Sequence, residues 1–170
     1  MKNISISPLS AQELESFFKK LNFSKDSEHI KKYISIVIET AACQQVVIYE
    51  ACDLKKDDIF GFFALKTTHD DIDNVPGIIV EFLYLKVEYR SKIEEFSNIK
   101  YSFLLLDHII NIAIDIQKLV AINHVYLVPI SDKMRAIYNE YGFVNIPGSG
   151  KNEYEDYMVF NLLDEDPTLL

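Results

Sequence analysis

The chain has 170 residues and a mass of 19.7 kDa, enough for one domain with a sizeable core. Hydrophobic residues make up 49% and charged residues 25%, which excludes wholesale disorder, while two cysteines without a C-x-x-C pair and four histidines exclude a zinc module or a disulfide scaffold. The formal charge is −9 with a pI near 4.9, a field that opposes nucleic acid, although residues 151–170 alone set one lysine against six acids.

Residues 4–7 alternate isoleucine with serine and stop at Pro8, the pattern of a short first strand. Ser10 and Glu13 form the S-x-x-E capping box of a helix reaching about Leu21, with Leu14, Phe17, Phe18 and Leu21 on one face. A second helix is predicted over 27–42, with Ile30, Ile34, Val37, Ile38 and Ala41 at helical spacing. The period then becomes that of strands over 45–51 and 59–67, which are rich in β-branched and aromatic residues and joined by a turn at 53–58. The run Phe60–Phe63 reads as strand core, and Cys43 and Cys52 as small core residues.

After a polar stretch (69–77) comes a long strand over 78–87, then a charged passage over 88–97 and an apolar helix over 99–118. Lys100, Asp107, His108 and Asp115 interrupt that helix, so it reads as packed against a sheet and no membrane span is expected. Residues 124–128 form a compact strand ended by Pro129. A short helix over 132–140 has Asp132 available as its cap and Gly142 just past its end. Strands over 143–146 and 157–162 close the order, which is βααβββαβαββ. It predicts a mixed, mostly antiparallel sheet with helices on both faces, the second half containing a right-handed parallel crossover. Residues 1–163 read as the domain and 164–170 as an acidic tail; with no apolar leader at the N-terminus, a reducing cytosol is the expected compartment.

That order resembles the GNAT superfamily of acyl-CoA N-acyltransferases, and two strings carry the likeness. Residues 136–143 (AIYNEYGF) are similar to the family's F-Y-x-x-x-G-F after the fifth strand, and residues 81–90 (EFLYLKVEYR) to its fourth strand, L-A-V-x-x-x-x-R. One departure stands out. The family's R/Q-x-x-G-x-G/A loop is absent, because no glycine occurs between Gly77 and Gly142. Glycines there let several N–H groups converge on a diphosphate at φ > 0, a geometry strained for other residues. What remains is the N-terminus of the following helix, with Ser97 and Asn98 as capping residues and Arg90, Lys92 and Lys100 adding charge that Glu94 and Glu95 oppose.

The resemblance implies acetyl-CoA as co-substrate, a small-molecule or peptide amine as acceptor, and no metal. It implies Tyr138 as the acid that protonates the departing thiolate and Glu81, six residues before Val87, as the base. A protonated amine has no lone pair, so a base or ordered water is required. The backbones of Leu85, Lys86 and Val87 would hold the pantetheine arm and polarise the thioester. Ser131 falls where relatives often carry an asparagine touching that arm, or else caps the helix. By the residues alone, Tyr141 is a surface or core aromatic, His108 and His124 are buried histidines, and Asp70, Asp71 and Asp73 are a solvated acidic cluster. Nucleic acid is disfavoured as a partner, and a homodimer is left open. Two rival readings stand: an interaction module that has lost CoA, supported by the glycine-free loop, and an acetyltransferase toxin acting on aminoacyl-tRNA, opposed by the −9 charge.

Overall fold

The computed structural model describes residues 3–68, 76–150 and 156–164. The acidic cluster Asp70, Asp71 and Asp73 and the tail beyond residue 164 lie outside them. A seven-stranded sheet has the order β1-β2-β3-β4-β5-β7-β6, built from β1 (Ile4–Pro8), β2 (Val47–Asp53), β3 (Asp58–Thr68), β4 (Gly77–Leu85), β5 (His124–Leu127), β6 (Val144–Asn145) and β7 (Met158–Asn161). The helices are α1 (Ala11–Lys20), α2 (Glu28–Ala42), α3 (Tyr101–Gln117) and α4 (Asp132–Tyr141). The chain falls into two compact units, Met1–Lys66 with Glu81–Leu105, and Thr67–Val80 with Leu106–Leu170.

In the first unit β1 pairs antiparallel with β2, and β2 with β3, from Val47↔Leu65 to Asp53↔Asp58 with a bulge at Ala51/Cys52. The helices α1 and α2 exist because their apolar residues recur at helical spacing above an apolar sheet face. Leu14, Phe17 and Phe18 from α1 and Ile34, Val37 and Ala41 from α2 bury themselves on Ile48, Phe62, Ala64 and Tyr84. The Phe17, Phe18 and Phe62 rings meet edge-on at 5.0–5.7 Å, the geometry that aromatic quadrupoles favour. The capping box at Ser10 forms as expected, with Glu13 Oε2 accepting the Ser10 N–H at 2.8 Å. Phe60, Phe62 and Phe63 are fully buried strand core. Gly61 sits among them because an added Cβ would stand 2.4 Å from the Tyr84 carbonyl oxygen.

Cys43 and Cys52 are not core residues. Cys43 follows the last turn of α2 and is exposed, and Cys52 lies at the bulge, half-buried.

In the second unit Gly77–Val80 pairs in parallel with His124–Leu127, the crossover that the strand–helix–strand order predicts. β7 pairs antiparallel with β5 and with β6. Ile79 and Tyr126 form a small apolar cluster with Ile146, Tyr157 and Val159. His108 and His124 are half-buried rather than buried, and His124 Nδ1 lies 3.2 Å from Tyr126 Oη. Among the described residues no helix is long and apolar enough to cross a membrane.

Candidate active site

The ladder between β4 and β5 ends at Val80↔Leu127, while β4 runs on to Leu85. At its end the Lys86 N–H donates to the Phe60 carbonyl at 2.9 Å, so that amide is turned toward β3. Backbone groups alternate in direction along a strand, which turns the Leu85 amide to the opposite edge. Of the three backbones expected to serve a thioester, Leu85 turns its amide away from β3, and the Lys86 amide is taken. Val87 opens a 3-10 turn (Val87–Tyr89) instead of continuing the strand. Glu81 is exposed and ion-paired, its Oε2 2.7 Å from Lys66 Nζ, so it is a surface carboxylate and not one enclosed by apolar neighbours.

Arg90 is held by two hydrogen bonds. Its Nε donates to the Leu85 carbonyl at 2.9 Å, and its Nη2 to Asp26 Oδ1 at 2.5 Å. The Tyr84 hydroxyl donates to the other oxygen of Asp26 at 2.7 Å, and burial together with that carboxylate pushes the phenol's pKa well above its usual range. The guanidinium is thus used inside the protein. Lys92 and Lys100 set their ammonium groups near rings, 6.0 Å from the Tyr89 centroid and 4.9 Å from that of Phe103. Lys86 Nζ pairs with Asp58 at 2.7 Å, and Asp58 also accepts from Tyr89 Oη at 2.9 Å.

The loop turns without glycine. Ser91 (φ 62°) and Asn98 (φ 56°) take the left-handed conformation, which asparagine tolerates better than most residues. Asn98 and Ser97 do not cap α3, which begins at Tyr101. Asn98 N–H donates to the Glu94 carbonyl at 3.0 Å, and the Ser97 amide donates to the Glu94 carboxylate at 2.8 Å. The Tyr101 N–H donates to the Lys92 carbonyl at 3.1 Å, and Ile93 bridges to Lys100, so the loop folds back on itself. Glu94 was legible only as an opposing charge. Asp26, just ahead of the helix predicted over 27–42, gave no signal of its partnership with Arg90.

In the second unit α4 positions Ser131 and Tyr138. Ser131, and not Asp132, is the cap: its hydroxyl accepts the Met134 amide at 3.3 Å. Gly142 ends the helix at φ 122° and donates its N–H to the Tyr138 carbonyl at 3.1 Å. Tyr138 is 6% exposed, its ring 6.0 Å from Phe143, and its hydroxyl has no hydrogen-bond partner among the described residues. Burial pushes its pKa far above that of an ordinary phenol, so it holds its proton at neutral pH. Tyr141 is different, donating to Asp107 Oδ1 at 2.7 Å beside Phe143 and Phe160. Among the described residues no group of three or more His, Cys, Asp or Glu side chains could hold a metal.

Neither a family model nor a curated protein matches the chain. Solved structures do. AtaTR bound with AcCoA is 14% identical with a TM-score of 0.74, covering 100% of both chains. The Y-to-F variant of KacT is 10% identical with a TM-score of 0.73, covering 98% of this chain and 99% of that one. AtaT complexed with acetyl-methionyl-tRNAfMet is 12% identical with a TM-score of 0.71, covering 98% and 99%.

The fold is that of the GNAT superfamily. The same neighbours correct the expectation that nucleic acid is disfavoured as a partner. A GNAT-fold protein has been solved with a charged tRNA, and the AtaT–AtaR and KacTA complexes with DNA. A net charge describes the whole surface, whereas phosphate contacts need only a local one.

Proposed function

We propose that the chain is an acetyl-CoA-dependent N-acetyltransferase whose acceptor is the amine of an aminoacyl-tRNA. The observation that carries this reading is the likeness over 100% of both chains to AtaTR, solved with AcCoA. The acceptor rests on the AtaT complex with acetyl-methionyl-tRNAfMet. The thioester supplies an activated acyl carbon; the residues of this chain then have three tasks. Leu85 presents an amide on the edge of β4 away from β3, where a donor can stabilise the oxyanion that forms as the amine nitrogen bonds to the acyl carbon. Glu81, or a water beside it, takes the proton of the attacking ammonium. Tyr138 gives its phenolic proton to the sulfur as the C–S bond breaks. Its raised pKa keeps the proton in place until negative charge develops beside it.

A second observation concerns the diphosphate end of acetyl-CoA, where the Phe96 and Ser97 amides are already bonded within the chain. That second observation favours another reading, a GNAT-fold interaction module without catalysis. Titration of the thermal transition with acetyl-CoA separates the two. A ligand at 100 times its Kd stabilises by ~2.7 kcal/mol, which raises Tm by roughly 5–10 °C in a domain of this length. A saturable shift, followed by acetyl transfer to aminoacyl-tRNA in preference to a polyamine or a lysine peptide, supports the proposal. No shift at millimolar ligand overturns it in favour of the interaction module.

A further inference from the structure

The loop ahead of α3 contains an anion of its own. Glu94 is only 6% exposed and turns its Oε2 back onto the N–H groups of Phe96 at 3.1 Å and Ser97 at 2.8 Å. Other loop amides are bonded as well: Glu94 to the Ile99 carbonyl at 2.8 Å, Asn98 to that of Glu94 at 3.0 Å, and Tyr101 to that of Lys92 at 3.1 Å. Successive N–H groups converging on one oxygen are how a loop grips a phosphate. Here the oxygen belongs to the chain. The Ser97 amide and its companions hold the Glu94 carboxyl below the usual carboxylate range despite its burial, so it is charged at neutral pH. Arg90, which the sequence offered to a diphosphate, is held by Asp26 instead.

We propose that Glu94 sets donor affinity, its carboxylate occupying the two amides that a diphosphate oxygen would otherwise take, so that phosphate-bearing donors bind weakly until the loop releases it. For acetyl-CoA this rests on the acetyltransferase reading; for the loop itself it does not. The exchange forms and breaks hydrogen bonds only. An incoming phosphate oxygen must displace the carboxylate from Phe96 and Ser97 and tolerate its charge close by.

Glu94→Gln keeps an acceptor oxygen for both amides, which preserves the loop, and removes the charge that strengthens those bonds. Calorimetry on the full chain should use inorganic pyrophosphate, acetyl-CoA and S-acetylpantetheine. The variant is expected to bind pyrophosphate and acetyl-CoA about tenfold tighter than the wild type, the scale of removing one like charge at close range. Its affinity for the phosphate-free thioester should be unchanged. Equal affinity of the two proteins for pyrophosphate, or a looser variant, overturns the proposal. Tighter pyrophosphate binding with no acetyl-CoA binding by either protein upholds the role of Glu94 and sinks the donor reading. If Glu94→Gln does not fold, the wild-type amide resonances decide. Saturating pyrophosphate must move those of Phe96 and Ser97, and unmoved resonances overturn the proposal.

Discussion

Asp26 and Arg90 stand 64 positions apart in sequence and meet at 2.5 Å, the carboxylate wholly out of solvent and the guanidinium 44% exposed. Because Arg90 also donates to the Leu85 carbonyl, this pair ties the α1–α2 connection to the end of β4. The pair therefore holds the backbone on which the Leu85 amide depends.

Removing one partner should cost more than removing both. Arg90→Met leaves Asp26 buried with Tyr84 as its remaining partner, and breaking a buried pair in this way costs about 3 kcal/mol. For a chain of this length that lowers Tm by roughly 6–12 °C. Asp26→Asn combined with Arg90→Met strands no charge and should recover part of the loss. Thermal unfolding of the two variants checks this. A double variant less stable than Arg90→Met alone would show that the pair is not the unit of stabilisation.

Three buried or partly buried tyrosines define the alkaline limit of stability. Burial raises the pKa of Tyr84, Tyr89 and Tyr138, reinforced by Asp26 at the first and Asp58 at the second. A group whose folded pKa is raised contributes stability that is fully present below its unfolded pKa and is lost as pH rises through the folded value. The unfolded phenols titrate near ~10. Tm should thus hold level across neutral pH and fall above about pH 10, with tyrosinate absorbance appearing together with unfolding. Ionisation of these tyrosines in a still-folded protein would contradict the assignment.

Much of the fold was legible because hydrophobic period, capping residues and turn chemistry are local. The capping box at Ser10, the Gly142 terminus and the β4–α3–β5 crossover all follow from short windows. What was not legible depends on partners distant in sequence. Nothing around Asp26 announces Arg90, and nothing around Gly61 announces the Tyr84 carbonyl. The loop over 88–100 shows the same divide. Its lack of glycine is visible in the sequence. That Asn98 supplies a left-handed turn and Glu94 fills the amides is a matter of three-dimensional closure. Charge counting failed for a similar reason, since it assigned Arg90 to a ligand when a buried carboxylate had already taken it.

Ser131 tests whether a residue near the proposed chemistry serves the helix or the donor. Its hydroxyl accepts the Met134 amide. Ser131→Ala should therefore cost about 1 kcal/mol through the lost cap, and Tm should fall by roughly 2–4 °C. Ser131→Asp, a good cap, should restore Tm. If capping is its whole role, KM for acetyl-CoA stays at the wild-type value in both variants. A tenfold rise in KM at unchanged Tm would assign Ser131 to the pantetheine arm instead.

Tyr138 offers the sharpest separation of stability from activity. The residue is 6% exposed and its hydroxyl makes no hydrogen bond among the described residues, so Tyr138→Phe removes a polar atom that bonds to nothing there. Tm should be unchanged or higher. If the phenol protonates the departing thiolate, kcat should nevertheless drop by ~10²-fold, the scale of a lost general acid, with acetyl-CoA affinity unaltered. The raised pKa adds a second signature: kcat in the wild type should show no alkaline decline assignable to Tyr138 below about pH 10, because the proton is retained past the ordinary phenol range. A Phe variant with full kcat would remove Tyr138 from the reaction and leave it as a packing residue beside Phe143.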